Sequence, residues 1–473
     1  MKRSELKVFA VLITTLFFGC SQDEICIDSD LVLVNTKVYT ANPAQPEADF
    51  IAIEGDKFIF VGTNSEEGNF NCGNNRVLDL DNSFVYPGFI DAHAHLKGIG
   101  YREIDLNLQG ADSLKSMLTQ VKIHSNKQLP GDWVVGRGWI EKKWPEARFP
   151  TLQELDEISK DKPIALERAD GHAIIVNTLA LQLAGIDQNT PDPIGGKIDK
   201  DMNGRPNGVL IDKASLLVES IIPKRTALEE KNALKEGLYR TARMGWTQLQ
   251  DAGSPLSDFN LLRELKEEGS FPIRIQMYIS DGRDALKFID NGPYLDPDHM
   301  LTARGVKLYA DGAIGSRGAA FFKKYDDYET KGFLIFQKEE TMPKLIKALV
   351  NGIQIQTHAI GDLANKVTLD WYEEAFNNVS NANRMITEPR WRIEHSQNIL
   401  PEDQKRFADL KVIASMQPSH AIGDLHFAHK RLGIERLENA YTWRNLIDLG
   451  VVVAGGSDAP VEIGDPRIEF KAA

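Results

Sequence analysis

The 473-residue sequence predicts an α/β protein in which a small β domain precedes a parallel barrel. Three observations predict this fold. Short apolar runs separated by turn residues occur in residues 28–84, apolar runs then alternate with helical segments, and polar residues follow the ends of several later runs. Alternating strands and helices are typical of parallel βα units, and the catalytic groups of a parallel barrel gather at the C-terminal ends of its strands.

Length and charge restrict the classes of partner. The chain exceeds a typical domain, so we expect one large domain and a smaller one. Its formal net charge of -13 argues against a nucleic-acid partner, which would require a basic face. No run after the first twenty residues is long and apolar enough to cross a bilayer. We therefore expect no nucleic-acid partner, and the oligomeric state is left open.

Residues 1–20 predict a targeting segment. Lys2, Arg3 and Lys7 form a positive region before the apolar residues 8–18. The following sequence resembles a bacterial lipoprotein signal, with Cys20 as the lipidated residue, and a plain secretory signal is the alternative. Both interpretations predict an exported chain. The first predicts a periplasmic or cell-surface lipoprotein that meets the membrane only through the lipid anchor at Cys20.

Residues 21–84 predict the small β domain. The apolar runs indicate an antiparallel sheet, and Glu54-Gly55-Asp56-Lys57 predicts a tight hairpin. Two cysteines besides Cys20 belong to this part of the chain, Cys26 and Cys72. In an oxidising compartment they can form a disulfide, and two unpaired thiols are the alternative.

Residues 85–473 predict the barrel. Helical stretches such as 228–244 and 257–268 separate the apolar runs, and residues 97–246 are too long for simple βα units, so we expect an insertion there. The strand candidates are residues 133–136, 163–166, 247–251, 273–278, 305–309, 353–358, 391–395, 412–416 and 451–455.

The first of the polar strand ends carries His93 and His95. Side chains at i and i+2 of a strand point to the same side, so both imidazoles can reach one metal ion. Imidazole is a common ligand of zinc and iron, and a catalytic site usually keeps one coordination position open. Two histidines at the end of a buried strand, without a metal, are the alternative.

Five segments in order resemble the amidohydrolase superfamily: Pro-Gly-Phe-Ile-Asp-Ala-His-Ala-His, a strand lysine, Thr-His-Ala-Ile-Gly-Asp, Arg-Ile-Glu-His-Ser-Gln and Gly-Gly-Ser-Asp-Ala-Pro. The segments 305–317 and 415–420 resemble more narrowly its amidohydrolase-3, or YtcJ-like, branch, which includes N-substituted formamide deformylases. The resemblance implies a (β/α)8 TIM-like barrel with a small N-terminal β-sandwich-type domain. Relatives continue well past the last segment, so we expect the final barrel helix and the returning strands of the small sheet to be missing from this chain.

The resemblance also implies a metal site. His93 and His95 would bind one zinc ion, and His358 and His395 would bind a second or complete a single site. Lys307 would be a carboxylated lysine that bridges two metals, and Asp458 would be a ligand that takes a proton from the attacking water. The structural alternatives are an ion pair of Lys307 with Asp311 or Glu394, hydrogen-bonded core histidines at 358 and 395, and a helix N-cap at Asp458.

The remaining histidines receive different interpretations. His172 and His420 are candidate substrate contacts, and a structural role is the alternative for each. We expect surface positions for four others: His124, His299, His426 and His429.

The implied activity is metal-dependent hydrolysis of an amide or other C–N bond, with a formamide or N-acyl type of substrate. A single-zinc deaminase with Glu394 near the chemistry is one alternative. A non-catalytic surface binding lipoprotein is the other. The number of zinc ions per chain separates the three, because two favour the hydrolase, one the deaminase and none the binding protein.

Overall fold

The computed structural model describes residues 27–63, 69–70, 73, 75–141, 144–168, 173–193 and 196–473. The chain divides into two compact units, Met1–Pro87 and Gly88–Ala473. Four positions with predicted roles lie outside the described residues: Cys20, Cys26, Cys72 and His172. Lipidation, the disulfide and the substrate contact of His172 therefore stay predictions.

The first unit contains a five-stranded sheet. Its strands are β1 (Leu31–Tyr39), β2 (Glu47–Ala48), β3 (Phe50–Glu54), β4 (Lys57–Gly62) and β5 (Arg76–Val85). The predicted hairpin is confirmed, because β3 and β4 are antiparallel with Glu54 opposite Lys57, and Gly55 in the turn has a φ of 58°. The prediction of a purely antiparallel sheet was wrong, since β5 pairs with β1 in parallel. After the hairpin, β5 runs in the same direction as β1. Apolar runs alone do not indicate the direction of a strand.

The second unit begins with β6 (Phe89–Ala94) and then leaves the barrel for a separate six-stranded sheet. The strands of that sheet are β7 (Leu106–Asn107), β8 (Val134–Trp139), β9 (Ile164–Arg168), β10 (Ala173–Val176), β11 (Gly196–Lys200) and β12 (Pro206–Asp212). They are ordered β11-β12-β10-β9-β8-β7. The apolar runs at 133–136 and 163–166 thus lie in this sheet and not in the barrel. A buried parallel strand has the same apolar pattern in either sheet, so periodicity could not separate them.

Eight parallel strands form a nearly closed barrel. After β6 these are β13 (Trp246–Ser254), β14 (Arg274–Ser280), β16 (Leu301–Tyr309), β17 (Gln354–Ala359), β18 (Arg392–His395), β19 (Ile413–Met416) and β20 (Val453–Gly455), with the short β15 (Tyr294–Leu295) antiparallel to β16. Their order is β6-β13-β14-β16-β17-β18-β19-β20. The predicted barrel is confirmed.

Fifteen helices accompany the strands of the described second unit. They are α1 (Leu96–Ile104), α2 (Leu114–Ser125), α3 (Leu152–Asp156), α4 (Thr178–Leu183), α5 (Leu216–Glu219), α6 (Ala227–Arg243), α7 (Leu256–Glu267), α8 (Arg283–Asn291), α9 (Lys338–Val350), α10 (Asp362–Asn378), α11 (Pro401–Asp409), α12 (Pro418–Asp424), α13 (Ala428–Arg436), α14 (Trp443–Asp448) and α15 (Pro466–Ala472). A capping box of Thr226 and Glu229 starts α6, satisfying backbone donors at its N-terminus. Among the described residues, we find no helix with the length and apolar character needed to span a bilayer.

The barrel closes between β20 and β6 largely through polar bonds. Ser457 donates from its backbone and its hydroxyl to the carboxylate of Asp91, at 2.9 and 2.5 Å. The backbone of Asp458 donates to the carbonyl of His93 at 2.6 Å. Gly456 is required here, because a Cβ at this position would lie 2.4 Å from the backbone nitrogen of His93. This seam brings Asp458 beside the first histidine.

Candidate metal centre

The structure places all six predicted metal ligands at the C-terminal ends of barrel strands. They are His93 on β6, His95 just after it, Lys307 on β16, His358 on β17, His395 at the end of β18 and Asp458 after β20. The ends of neighbouring parallel strands meet at one face of the barrel, so residues far apart in sequence converge there.

The histidines form a continuous cluster around Asp458. The Nε2 atoms of His93 and His95 lie 3.6 and 3.1 Å from Asp458 Oδ1. The ring centres of His93 and His395 are 5.0 Å apart, and those of His395 and His358 are 4.5 Å apart. Except for His95, which is about one-third exposed, these side chains are buried or nearly so.

The donor set fits a divalent metal. His93 Nδ1 contacts the carboxylate of Glu394, which as an ion can only accept, so the ring proton lies on Nδ1 and Nε2 is an acceptor. This Nε2 faces Asp458 Oδ1, and neither buried atom has a hydrogen-bond partner among the described residues. Two buried acceptors facing each other are unfavourable unless a cation lies near both. Ligand atoms of His93, His395 and Asp458 all lie within 4.8 Å of one another, close enough to hold one ion.

The protonation states also suit a metal. Burial lowers the pKa of His93 to about 4 and that of His358 to about 3, with Lys307 adding to both shifts. Burial likewise holds the pKa of His395 well below its usual range. For Asp458, burial raises the pKa, but interaction with His95 and the neighbouring imidazoles outweighs it, so the pKa falls below its usual range. Neutral imidazoles and an ionised carboxylate are the forms that bind metals.

Lys307 is a fully buried amine within the same group of side chains. Burial lowers its pKa to about 8, and its Nζ lies 5.0 Å from the centre of the Tyr309 ring. No carboxylate of the described residues lies within 4.0 Å of this Nζ, so the alternative of an ion pair with Asp311 or Glu394 is not found there. Glu394 pairs with Arg392 instead.

His420 joins the cluster from α12. Its Nε2 lies 3.4 Å from Asp458 Oδ2 and 4.0 Å from Glu462 Oε1, and its ring stacks on His395 with centres 5.7 Å apart. Of the four predicted surface histidines, His124 is half-buried. The other three are exposed: His299, His426 and His429.

Sequence reasoning missed several residues that hold the ligands in place. Gln417 accepts a hydrogen bond from His395 Nδ1 at 2.7 Å, and Asp311 Oδ1 lies 3.5 Å from His358 Nε2. Asp91 fixes the barrel seam beside His93. The position of Gln417 directly after an apolar strand could have indicated it, since it shares the strand-end pattern of the ligands.

The parallel barrel and the cluster of histidines and an aspartate at its strand ends place the protein in the class of α/β barrels with a candidate metal centre. Residues 76–473 match the family described as "Amidohydrolase family". The chain belongs to this family, which confirms the resemblance seen in the sequence.

Named relatives and solved structures agree with this assignment. The chain is 34% identical over 412 residues to the YtcJ protein of Bacillus subtilis (strain 168), covering 84% of this chain and 74% of that protein. It is 28% identical over 447 residues to an N-substituted formamide deformylase of Arthrobacter pascens, covering 91% of this chain and 81% of that protein. The crystal structure of an uncharacterized metal-dependent hydrolase from Pyrococcus horikoshii OT3 superposes with a TM-score of 0.76 at 26% identity. The match covers 94% of this chain and 85% of that structure. Family and structural neighbours together support a hydrolase.

Proposed function

We propose that the protein is a zinc-dependent hydrolase that cleaves an amide or other C–N bond in a small molecule of the formamide or N-acyl type. The observation that carries this proposal is the pair of facing, unpartnered acceptors, His93 Nε2 and Asp458 Oδ1, within the histidine cluster. Similarity to an N-substituted formamide deformylase supports the type of substrate.

The candidate site residues have different proposed roles in binding the metal. His93, His95, His358, His395 and Asp458 would hold one or two zinc ions, and a carboxylated Lys307 would bridge two of them. Bound zinc supplies Lewis-acid polarisation of a carbonyl and a lower pKa for water.

Asp458 would act as the proton carrier of the reaction. Its carboxylate is ionised and can receive a proton from the attacking water and pass it to the leaving nitrogen. His420, 3.4 Å from the other oxygen of Asp458, would contact the substrate. His172 stays a predicted second contact.

The deaminase alternative requires Glu394 to act on the substrate. Both oxygens of this carboxylate accept hydrogen bonds from Arg392, at 2.7 and 2.9 Å, and one also contacts His93. Glu394 is fully buried. These contacts favour a supporting role for Glu394, and therefore the hydrolase over the deaminase.

Formyl amides, N-acyl amino acids and small cyclic amides should be screened with zinc-loaded protein. We expect turnover of one of these classes, with formation of the carboxylic acid, none in metal-free protein and a much lower rate in Asp458→Asn. An added cyclic amidine that is converted by zinc-loaded protein to the carbonyl compound and ammonia, with no acid formed from the amides, would point to the deaminase. Protein that binds the compounds without turning any over would point to the binding protein.

We also propose that the chain is exported and anchored through Cys20, on the strength of the N-terminal sequence. Expression in a bacterial host with a labelled fatty acid should label the wild type and not Cys20→Ala. Equal labelling of both would contradict the lipid anchor, and retention of both in the cytosol would contradict export.

A further inference from the structure

The interior of the barrel below His93 contains a buried charged pair. Arg392 and Glu394 on β18 are 2% and 0% exposed. The interior of an α/β barrel is usually filled by branched apolar side chains. An ion pair there loses its hydration, and apolar residues of similar size would often stabilise the fold at least as well. Stability alone therefore gives a weak reason for this pair.

The contacts of Arg392 hold Glu394 in one orientation. Arg392 donates from Nε and Nη2 to the two carboxylate oxygens, at 2.7 and 2.9 Å. The two hydrogens of Nη2 are shared among this carboxylate, Ser415 Oγ at 2.7 Å and the carbonyl of Ala92, next to His93, at 2.6 Å. The Nη1 of Arg392 donates to the side-chain oxygen of Gln250. With the guanidinium held by three strands, the carboxylate has little freedom to rotate.

The remaining contact of Glu394 is to His93. Its Oε2 lies against Nδ1, and because an ionised carboxylate can only accept, the imidazole must donate from Nδ1. The lone pair of Nε2 then points to Asp458 Oδ1, 3.6 Å away. A ring with the opposite tautomer would place a proton where a metal ligand needs its lone pair.

We propose that Glu394 and Arg392 are positioning residues that fix the Nδ1-protonated tautomer of His93 and thereby set the metal affinity of the centre. The inference rests on the metal site of the proposed function but not on its substrate. A carboxylate on the far nitrogen of a ligating histidine orients the ring and makes it a stronger donor, and such partners typically change metal affinity by about 10- to 100-fold.

The first test uses the wild-type chain in its metal-free form. Nuclear magnetic resonance of protein with isotope-labelled histidine reports which ring nitrogen carries the proton, and comparison with His93→Gln assigns the signal. We expect a proton on Nδ1 and none on Nε2 of His93. A proton on Nε2 would overturn the proposal without any change to Glu394.

The second test measures zinc affinity by competition with a chelator. Glu394→Gln keeps the size of the side chain but removes its charge, and we expect a zinc dissociation constant about 10- to 100-fold higher. If this variant does not fold because Arg392 is left unpaired, Arg392→Met combined with Glu394→Gln removes both charges and is expected to show a shift of the same size. Wild-type zinc affinity in either folded variant would overturn the proposal.

Tyr325→Phe is the control. The buried Tyr325 hydroxyl donates to the backbone carbonyl of Ala319 at 3.0 Å, at a distance from the Arg392–Glu394 pair. Phenylalanine keeps the ring and removes one buried hydrogen bond, so we expect lower stability with unchanged zinc affinity. Neither test uses a substrate. Failure to find a hydrolysed C–N bond would therefore leave this inference standing. Wild-type zinc affinity in the variants would overturn the inference and leave the hydrolase proposal standing, whereas a proton on His93 Nε2 would also remove the facing acceptors that support that proposal.

Discussion

Asp458 and Glu394 are buried carboxylates that contact opposite nitrogens of the same imidazole, in two differently built regions of the barrel. Inside the barrel, Glu394 accepts two hydrogen bonds from Arg392 and contacts His93 Nδ1. At the strand-end face, Asp458 Oδ1 lies near two imidazole nitrogens and has no hydrogen-bond partner among the described residues. The Glu394 carboxylate is therefore saturated with hydrogen bonds, and Oδ1 of Asp458 is not.

This difference separates supporting groups from reacting ones. A buried acceptor without a donor destabilises the fold, so it persists where another component, such as a metal, interacts with it. Asp311 repeats the supporting pattern beside His358, because its carboxylate accepts from the backbone of Ala320, Ile360 and Gly361 at 2.8 to 3.0 Å. Burial nevertheless raises the pKa of Asp311 to about 7. The carboxylates of Glu394 and Asp311, beside the candidate ligands, thus have hydrogen-bond partners. Oδ1 of Asp458, which lies among those ligands, has none within the described residues.

The largest effect is expected from changing the unsaturated face itself. His93→Ala combined with His95→Ala removes two ligands from one strand, and solvent cannot replace them without loss of affinity. We expect loss of bound metal, measured by elemental analysis, and loss of activity. His426→Ala combined with His429→Ala changes two exposed histidines and should leave both unchanged. Wild-type metal content in the first double variant would remove the assignment of the site to this face.

Asp458→Asn tests whether the unpartnered carboxylate is the proton acceptor. The substitution keeps the shape of the side chain, so we expect retained or partly reduced metal and a turnover lower by about 10²-fold or more. In metal-free protein the neutral amide loses the interactions with His95 and the neighbouring imidazoles that hold the pKa of Asp458 below its usual range, so we expect the free energy of unfolding to fall. Near-normal turnover would move the proton acceptor to another residue.

The convergence of the candidate ligands could be predicted from sequence because each lies near or shortly after the C-terminal end of an apolar strand. His93, His358, His395 and Asp458 all occur in short segments whose order resembles the family, and a strand end is a local feature of the sequence. Periodicity is also local, so α6 and α7 were located within one residue of their observed ends.

The supporting contacts could not be predicted, because they join residues that are distant in sequence. Glu394 is separated from His93 by 301 positions, and the Asp91 carboxylate meets Ser457 across 366. Nothing local distinguishes Arg392 in a buried strand from a surface arginine. Strand direction in the first sheet and the membership of β8 and β9 in the inserted sheet were missed for the same reason: partners are chosen by tertiary packing.

Lys307 tests whether the face holds one metal or two. A lysine must lose its proton to react with carbon dioxide, and burial already lowers its pKa to about 8. If the resulting carbamate bridges two zinc ions, Lys307→Ala should contain one zinc instead of two. Lys307→Glu could keep both, because a carboxylate can also bridge. Two metals and full turnover in Lys307→Ala would show that the lysine has only a structural role.

The smallest effect is expected at the seam that joins the two regions. Ser457→Ala removes the hydroxyl that donates to Asp91 at 2.5 Å and accepts from the backbone of Ala459 at 3.0 Å. Loss of a buried hydrogen bond to a charged group should lower the free energy of unfolding by about 1 to 3 kcal/mol, measured by chemical denaturation.

Ser159→Ala is the control for Ser457→Ala. Comparison of the two variants shows whether the seam also affects zinc binding at the metal centre. Ser159 makes the same two kinds of bond within residues 157–162, donating to Asp161 at 2.9 Å and accepting from the backbone of Lys162 at 3.0 Å. Both variants should be less stable, but only Ser457 adjoins Asp458, whose backbone bonds to His93. We therefore expect weaker zinc binding in Ser457→Ala and unchanged binding in Ser159→Ala. Equal zinc affinities would mean that the seam holds the barrel closed without setting the position of its unsaturated carboxylate.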